Sequence, residues 1–528
     1  MTARYQPAGA SETVASVLRT MAEGHPEKVC LVAGAVEITY DELNRDVNRL
    51  ANALSGLGLG KGDKLGLLMP NVPEFVTSYF AGAKLGAVVV PVNIKFRGEE
   101  IRYVLENSDA TALLIADDFI QAFNSMSFRP PKLREVIVLG RGDNVATVRD
   151  APTRSFRQLL RQGSEQEVAS PCSADDVFGI FYTSGTTDVP KGVLLTHRQI
   201  IAGADAWRDG LEVTADTRSL VIAPFFHIAF NAFVFSVLLA GGSSVIVESF
   251  QLKRLLKEIE RCRVTMIFAT PSVFITMLDF TQMDEYDLSS LQTIVYGAAP
   301  MPVEVIHQLR ARLKGALYNG YGQTETSGAI SRLRPQFAIS KAGSIGTPLQ
   351  GLELAILDEE DHPVAHDVVG EICCRGANTL TEYYKLPEVT AKKLRGGWLH
   401  TGDLGYLDAD GFLYIVDRKD DIIISHGEKV SPKEVEEVLY TYPDLLDAAV
   451  VGIPDRVRGE AVVAFVVPKA GKELDIVAVR RYCRERLAAY KAPRAVYIVA
   501  SIPRNPAGKV MRQELRTRGA ITTMAVPS

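Results

Sequence analysis

The segment FYTSGTTDVPKGVLLTH, residues 181–197, joins two apolar runs through a stretch of Ser, Gly, Thr, Asp and Pro that precedes one lysine. In a loop of small residues between two buried elements, backbone NH groups can point inward together, and hydroxyl groups add further donors. Lys191 would add a mobile positive charge. Such a loop can hold a triphosphate, although its composition also fits an ordinary polar turn at a sheet edge. It is not a Walker A loop, because Pro190 stands where that motif has Gly.

Outward from this loop, short apolar runs alternate with amphipathic segments. The runs are TALLIA, EVIVLG, VFGIFYT, SLVIAPFF, SSVIVE, VTMIFAT and LQTIVYG. Near-continuous β-branched runs of this kind predict strands that are buried on both faces. Between two of them, LKRLLKEIERCR (252–263) places its leucines and Ile259 on one helical stripe. The alternation predicts a wound α/β sheet with connecting helices.

The pattern changes twice towards the C-terminus. From about residue 340, short strands and Gly/Pro turns predict a β-rich subdomain, and from about residue 420 a helix, paired strands, a helix and a strand predict a small α+β domain. The predicted fold class is therefore α/β, with a large N-terminal domain at 1–419 that combines wound sheets with the β-rich subdomain, and a small C-terminal domain at 420–528.

Composition limits the class of partner. The 528 residues are 47% hydrophobic and 23% charged, and the net charge of −5 provides no basic field for nucleic acid or an anionic membrane. The six cysteines form no CxxC pair, and the N-terminus lacks the apolar core of a secretory signal. We therefore expect a cytoplasmic enzyme with a small-molecule substrate, and a homodimer remains open.

One apolar stretch approaches the length of a membrane span. This stretch, IAFNAFVFSVLLAGGSSVIV at 228–247, contains Asn231, two glycines and paired serines. We therefore predict a buried helix followed by a buried strand, and no integral membrane segment.

Five further motifs follow the loop in order. They are PFFH (224–227), YGAAP (296–300), NGYGQTET (319–326), GWLHTGDLG through DRKDD (397–421) and PRNPAGKV (503–510). Together with the loop they resemble the adenylate-forming superfamily, which holds the acyl-CoA synthetases, the adenylation domains of nonribosomal peptide synthetases and the beetle luciferases. The resemblance covers nearly the whole chain. It implies that ATP and a carboxylic acid form an acyl-adenylate, after which coenzyme A displaces AMP.

The resemblance also implies the nucleotide site, position by position. The β- and γ-phosphates would be held by Thr183, Ser184, Gly185, Thr186, Thr187 and Lys191. The adenine slot would be formed by Gly297, Ala298, Ala299, Pro300 and Tyr321. Thr324 would contact the α-phosphate, Asp403 the ribose hydroxyls, and Arg418 the ribose and phosphate side. A single charged residue in a polar loop is more often a solvated side chain than a ligand-binding group. The occurrence of all the motifs in the family's order is what favours the functional interpretation.

Catalysis and domain movement involve a second group of residues. The predicted catalytic residues are Lys509, Glu325, Thr186 and His227. Glu325 would bind Mg²⁺ beside the ATP phosphates, and Lys509 would reach the α-phosphate and the carboxylate. The small domain would be mobile about Asp420, so that Gly427 can line the coenzyme A tunnel after rotation. Asp420 could instead be an ordinary residue of the linker, with no role in domain movement.

One position departs from the family pattern, which usually has Gly where this chain has Asp188. Asp tolerates left-handed backbone better than most residues, so the turn can survive. A carboxylate pointing at a triphosphate would be repulsive, and we expect Asp188 to face solvent. Asp188→Gly should then leave the Michaelis constant for ATP nearly unchanged, and a decrease of about tenfold, or 1.4 kcal/mol, would contradict this orientation.

The acid class depends mainly on His227. Amino-acid-activating relatives carry Asp at this position, where it pairs with the ammonium group of the substrate, and an imidazole cannot supply that negative charge. His227 could instead gate the acyl pocket, contact the carboxylate of the substrate or be a packed core histidine. The predicted acyl pocket comprises His227, Phe226, Ala229, Phe230, Asn231, Phe274, Gly320, Gly322, Ala329 and Ile330. Ala229 replaces the Tyr of hydroxycinnamate-activating relatives, which favours an aliphatic or simple aromatic acid.

Three functional interpretations remain open at this stage. The favoured one is an ATP-dependent acyl-CoA ligase of the fatty-acid type, with an aromatic-acid-CoA ligase as a variant. The second is an acyl-AMP ligase that loads a carrier protein. The third is a catalytically silent nucleotide or lipid binder.

Overall fold

The computed structural model describes residues 12–140, 142, 148–149, 152–183, 189–299, 301–425, 428–455, 458–505 and 508–524. The first elements are α1 (Val14–Gly24), β1 (Val29–Ala33), β2 (Val36–Thr39), α2 (Tyr40–Gly56), β3 (Lys64–Leu68), α3 (Pro73–Leu85), β4 (Val88–Pro91), α4 (Gly98–Asn107), β5 (Ala112–Ala116), α5 (Ile120–Asn124), β6 (Glu135–Leu139), β7 (Thr153–Ser155), α6 (Phe156–Gln162), β8 (Val177–Thr183), β9 (Lys191–Thr196), α7 (His197–Gly210), β10 (Arg218–Val221), α8 (Ser236–Leu239) and β11 (Ser243–Ile246).

The chain continues with α9 (Leu252–Cys262), β12 (Met266–Ala269), α10 (Pro271–Asp279), β13 (Thr293–Gly297), α11 (Val303–Arg312), β14 (Ala316–Tyr321), β15 (Ser331–Leu333), β16 (Thr347–Pro348), β17 (Leu352–Leu357), β18 (Gly370–Gly376), β19 (Glu382–Tyr383), α12 (Pro387–Lys393), β20 (Leu394–Arg395), β21 (Trp398–Leu407), β22 (Leu413–Arg418), β23 (Ile423–Ser425), β24 (Glu428–Val430), α13 (Pro432–Tyr440), β25 (Leu445–Asp455), β26 (Gly459–Pro468), α14 (Ile476–Arg484), β27 (Ala495–Ile498) and α15 (Arg512–Met524). Short 3-10 turns lie at Asp117–Phe119, Met283–Glu285, Thr324–Thr326 and Pro335–Phe337, and a π-helical turn lies at Asn231–Phe235.

The described chain up to β16 is built on two large sheets and the helices that connect their strands. One has the order β16-β15-β14-β13-β12-β10-β11-β1-β2, and the other has the order β19-β9-β8-β4-β3-β5-β6-β7. The central strands of both are parallel, and their predicted apolar runs are buried on both faces. This arrangement confirms the predicted α/β class. The two apolar runs beside the opening loop form an antiparallel pair, β8 with β9.

The largest hydrophobic core joins the two large sheets. It combines side chains of both sheets with helices α1, α2, α3 and α7 and the π-helical turn. Separate cores cover the outer face of each sheet, with α9 to α11 on one and α4 and α5 on the other. The stretch 228–247 lies in these cores as a helical segment followed by β11, as predicted. In the parts of the chain that the structure describes, no helix combines the length and apolar character needed to cross a membrane.

Two smaller sheets follow. The strands β17, β18, β20, β21 and β22 form an antiparallel five-stranded sheet, which is the predicted β-rich subdomain. The strands β23 to β27 form the sheet of the small α+β unit, in which β25 and β26 pair along their whole length. The segment IVAVRRYCRERLAAY (476–490) favours a helix in the sequence, and the structure ends this helix, α14, at Arg484. The domain boundary at 419/420 remains a prediction.

Candidate active site

The predicted site residues converge at one edge of the nine-stranded sheet. Strands β10, β12, β13 and β14 are parallel, so their carboxyl ends meet there. The segments that follow β10, β12 and β13 carry His227, Thr270 and Ala298, and β14 itself ends at Tyr321. In open α/β sheets, ligands bind in the crevice outside the carboxyl ends of the strands.

The proposed adenine slot depends on a close approach between two strands. Gly297 is paired with Gly320, and a Cβ on Gly297 would lie 2.4 Å from the Gly320 carbonyl oxygen, so only glycine fits there. The next residue, Ala298, has φ of +65°, a left-handed conformation that is uncommon for a residue with a Cβ. Strain of this kind is characteristic of sites where the backbone is held for a ligand.

A charged cluster lies beside this slot. The Tyr321 hydroxyl donates to Asp403 Oδ2 at 2.5 Å, and Arg418 Nε lies 3.1 Å from Asp403 Oδ1. Asp403 is 4% exposed. The negative charge of Asp403 raises the pKa of the Arg418 guanidinium above its ordinary value. A buried carboxylate held in this way presents acceptor oxygens in a defined orientation, as recognition of two ribose hydroxyls requires.

Glu325 and Thr324 lie on a 3-10 turn directly after β14. The Tyr383 hydroxyl donates to Glu325 Oε1 at 2.7 Å, and the Glu325 carbonyl accepts from Leu380 NH at 2.7 Å. These contacts orient a single carboxylate. Mg²⁺ usually keeps several waters and takes one or two protein carboxylates together with phosphate oxygens, so this donor set fits the ion.

Lys509 lies against the same cluster, although it comes from the small α+β unit. Its NH donates to Asn505 Oδ1 at 2.9 Å, and the preceding Gly508 has φ of +81°. A Cβ on Gly508 would lie 2.8 Å from Thr270 Cγ2, which shows how closely this segment approaches the large sheet. Burial, followed by the positive charge of Arg418, lowers the pKa of Lys509 from 10.5 to about 8, although the negative charges of Asp403 and Glu325 act in the opposite direction.

The pKa of Lys509 predicts a pH dependence. Because the pKa is depressed, the ammonium charge is present below about pH 8 and is lost as the pH rises through that value. We expect kcat/KM for ATP in acyl-adenylate formation to fall above this pH, since this parameter reports groups of the free enzyme. Lys509→Arg retains its charge, and its profile should stay level over the same interval. Pyrophosphate exchange measured from pH 6.5 to 9.5 tests this, and an equal fall in both proteins would contradict it.

A cavity of about 460 Å³ lies at the same edge of the large sheet, with Ala298, Gly320 and Gly508 in its lining. The lining also includes His227, the aromatic residues Trp207, Phe233 and Phe268, which we call the aromatic wall, and the charged residues Lys95, Glu248 and Arg504. Burial and, to a smaller extent, the positive charge of Lys509 lower the pKa of His227 to about 4. The imidazole is therefore neutral at pH 7, and its Nδ1 accepts from Ala229 NH at 3.2 Å.

The structure separates the predicted acyl-pocket residues into two sets. His227, Ala229, Gly320 and Gly322 line the cavity. The lining does not include Phe226, Phe230, Asn231, Phe274, Ala329 or Ile330. Of these, Phe226 is partly exposed, whereas Phe230 packs among Phe75, Tyr79 and Phe225. Phe274 belongs to the core on the outer face of the sheet, and Ala329 and Ile330 belong to the core between the sheets.

Asn231 has a packing role in this structure. Its Nδ2 donates to the Ile200 carbonyl at 3.0 Å and to Ser327 Oγ at 2.8 Å. The amide therefore ties the π-helical turn to α7 and to the turn after β14. In the sequence it follows His227 closely, but the helical turn directs it away from the cavity.

Sequence reasoning missed the aromatic wall. Trp207 lies on α7 and donates from Nε1 to the Gly328 carbonyl at 2.8 Å, while its ring is tilted on Phe233 at 5.5 Å. Phe233 in turn stacks on Phe268 at 3.8 Å. These three residues lie on a helix, a π-helical turn and a strand, where an aromatic residue is usually a core residue. The sequence offers no signal that would separate them from the core.

Several predicted residues lie outside the described residues. They are Ser184, Gly185, Thr186, Thr187, Asp188, Pro300 and Gly427. The ends of the predicted phosphate-binding loop are described: Thr183 ends β8, Lys191 begins β9, and Thr183 Oγ1 lies 3.5 Å from the Lys191 carbonyl oxygen. Asp420 lies in a turn in which Lys419 NH donates to the Gly402 carbonyl and Asp421 NH to the Arg418 carbonyl.

Comparison with known proteins decides the family. A family model described as AMP-binding enzyme matches residues 18–384, and a second, described as AMP-binding enzyme C-terminal domain, matches residues 434–509. The chain belongs to the AMP-binding enzyme family. The resemblance to the adenylate-forming superfamily is thereby confirmed. Because the chain is also 32% and 33% identical to two long-chain-fatty-acid–CoA ligases over 96% and 92% of its length, this AMP-binding enzyme is an AMP-forming acyl-CoA synthetase.

Individual relatives extend over nearly the full chain. The chain is similar to a long-chain-fatty-acid–CoA ligase of Bacillus subtilis, with 32% identity over 96% of this chain and 94% of the relative. It is also similar to a feruloyl-CoA synthase of Amycolatopsis, with 33% identity over 93% of this chain and 96% of the relative. Among solved structures, the anthranilate CoA ligase AuaEII in complex with anthranoyl-AMP matches with a TM-score of 0.91, 27% identity, and coverage of 98% and 99%.

Proposed function

We propose that this AMP-binding enzyme activates an apolar carboxylic acid of the fatty-acid type with ATP and Mg²⁺ and transfers the acyl group to coenzyme A. The observation that carries the proposal is the cavity lined by Gly508, the neighbour of Lys509, together with His227 and the aromatic wall of Trp207, Phe233 and Phe268. A carboxylate bound at the Lys509 end would have its apolar part in this cavity.

The first half-reaction brings two anions together. A carboxylate oxygen of the acid attacks the α-phosphorus of ATP, the bond from that phosphorus to the bridging oxygen breaks, and pyrophosphate leaves. Positive charge and positioned donors are what this step requires. Lys509 and Arg418 supply the charge, and the Glu325 carboxylate, oriented by Tyr383, would hold Mg²⁺. The ion would neutralise phosphate charge when bound.

The second half-reaction forms the thioester. The thiol of coenzyme A loses its proton and attacks the acyl carbon, and the bond from that carbon to the AMP oxygen breaks. Lys509 lies beside Arg418 and Asp403 in the present orientation, so the small unit would have to move before a thiol can approach. Rotation about Asp420 would provide this movement.

The acid class follows from the cavity wall. His227 is neutral and provides no counter-charge for an ammonium group, which argues against amino acids. The cavity lining combines aliphatic and aromatic residues with the charged Lys95, Glu248 and Arg504. The stacked Phe233 and Phe268 also favour the second candidate, an aromatic-acid-CoA ligase. Similarity to relatives named for long-chain fatty acids and for feruloyl-CoA supports both candidates.

Trp207 should limit the size of the acid. Its indole is 1% exposed and lies against Gly320, where an added Cβ would be 2.8 Å from Cη2. Trp207→Phe should therefore raise kcat/KM for a longer or bulkier acid relative to the preferred one by about tenfold, within the range for one or two buried methylene groups. Phe235→Leu, which also removes buried aromatic volume but lies outside the cavity lining, is the control. An unchanged ratio of kcat/KM values in Trp207→Phe would contradict this role.

The experiment that tests the function measures pyrophosphate release from ATP and Mg²⁺. Acids from acetate to palmitate, with benzoate and coumarate, are each assayed with and without coenzyme A. Turnover that requires coenzyme A and peaks at one acid class supports the ligase. Turnover without that requirement would indicate carrier loading, and no release with any acid would contradict the proposal.

A further inference from the structure

The last two residues of β22 face in different directions. Successive side chains of a strand point to opposite faces, and Arg418 points to the predicted nucleotide site, with Nε 3.1 Å from Asp403 Oδ1. Asp417 therefore points away from that site, towards helix α13 of the small α+β unit. It belongs to the large unit, by which we mean the described chain before residue 420, and it is 6% exposed. A buried carboxylate needs hydrogen-bond donors around it.

The donors come mainly from the first turn of α13. Asp417 Oδ2 accepts from Ser431 Oγ at 2.8 Å and from Lys433 NH at 3.2 Å, while Oδ1 accepts from Arg418 NH at 2.8 Å. All three partners donate, so the ionised carboxylate satisfies them. Burial raises the pKa of Asp417, and the nearby positive charge of Arg512 acts in the opposite direction. A negative charge is also favoured beside the NH groups that begin a helix.

The two preceding residues of β22 extend the same contact. Ser431 Oγ lies 3.1 Å from the Val416 carbonyl oxygen, and Lys433 Nζ donates to the Ile415 carbonyl at 2.7 Å. Consecutive residues of the large unit thus accept hydrogen bonds from the start of one helix of the small unit. We call the contacts of residues 415–417 with Ser431 and Lys433 the β22–α13 contact.

The predicted hinge at Asp420 lies between the two sides of this contact. Asp421 already belongs to the small unit, because its carboxylate lies 3.5 Å from Arg512 Nε on α15. A rotation about residue 420 would therefore carry Ser431 away from β22 together with the rest of the small unit. In the present orientation the β22–α13 contact is made, and Lys509 lies in the predicted nucleotide site.

We propose that Asp417 is a positioning residue, which holds the small unit in the orientation that brings Lys509 to the nucleotide. The inference rests on the proposed function, because it assigns the β22–α13 contact to the first of the two half-reactions. Contacts that are made in one orientation only raise the fraction of molecules in that orientation, and with it the rate of the step that needs it. Asp417 acts through the small unit and not on the reacting atoms.

Asp417→Asn tests this role when the two half-reactions are measured separately. The amide group has one acceptor oxygen and no charge, so it cannot accept from all three donors. We expect acyl-adenylate formation, measured by pyrophosphate exchange, to fall about tenfold, the scale of one weakened hydrogen bond to a charged group. Thioester formation from supplied acyl-adenylate should stay at the wild-type rate or rise, which also shows that the variant is folded.

Ser431→Ala weakens the same contact from the small unit. It should also lower acyl-adenylate formation, and the double variant should lose little more than Asp417→Asn alone, because both changes remove one shared interaction. Asp475→Asn is the matched control. Asp475 caps helix α14 by accepting from Val477 NH at 2.8 Å, a contact within the small unit. Both half-reactions should stay near wild type in Asp475→Asn.

The possible failures can be told apart. Equal losses in both half-reactions of Asp417→Asn would assign its carboxylate to the fold. A loss that Ser431→Ala does not share, or losses that multiply in the double variant, would assign the effect to the neighbouring Arg418. Each of these results would overturn the inference and leave the ligase proposal intact. A wild-type enzyme that forms no thioester from supplied acyl-adenylate would contradict the proposed function, whereas a shared loss of pyrophosphate exchange in the two variants would still support the inference.

Discussion

Lys509→Ala should lower the rate of acyl-adenylate formation by about 100- to 1000-fold, the loss typical of a charged group that acts mainly in the transition state. Lys509 is the charge that the small unit contributes to the cluster of Asp403, Arg418 and Glu325. Thioester formation from supplied acyl-adenylate should remain largely intact, because the α-phosphorus no longer reacts in that step. Single-turnover assays of the two half-reactions provide the measurement.

Lys472→Ala is the matched control for this experiment. Lys472 is an exposed lysine of the same unit whose Nζ lies 3.4 Å from Asp444 Oδ1, an ion pair at the surface. Its removal should leave both half-reactions unchanged, since surface pairs contribute little. Equal losses in both half-reactions of Lys509→Ala would mean that Lys509 supports the fold or a shared intermediate, and the assigned role would be wrong.

Asp420→Pro should have the opposite effect on the two half-reactions. Proline fixes φ at residue 420 and restricts the conformation of Lys419 before it, so a large backbone rotation at this point becomes unavailable. Adenylation should be retained, because Lys509 already lies in the nucleotide cluster in the present orientation. Thioester formation should fall by about 100-fold, the scale of loss when a reacting group is misplaced.

Asp420→Ala separates the backbone from the carboxylate. It removes the charge but keeps the NH group and the freedom of φ, so both half-reactions should proceed. If Asp420→Ala loses thioester formation to the same degree as Asp420→Pro, the carboxylate and not the rotation is required. If Asp420→Pro forms thioester at the wild-type rate, residue 420 is not the hinge.

Much of the fold and of the nucleotide site was predictable from the sequence. The apolar runs became the central parallel strands because a strand buried on both faces needs a continuous run of β-branched and apolar residues. Gly297 and Asp403 lie within short motifs that resemble those of the family. The resemblance alone predicts their place in the nucleotide site, and the close contact of Gly297 with Gly320 agrees with that prediction.

The proposed acyl cavity was decided by tertiary structure. Trp207 and Phe268 are far apart in the chain, and whether an aromatic side chain faces a cavity or a core depends on which faces of separate elements meet. Phe274 illustrates this point. Its helix, α10, places it in the core on the outer face of the nine-stranded sheet, whereas His227 lies at the carboxyl edge of the same sheet. Local motifs thus predict the nucleotide site, whereas long-range packing decides which side chains line the acyl cavity, because that packing depends on contacts between distant segments.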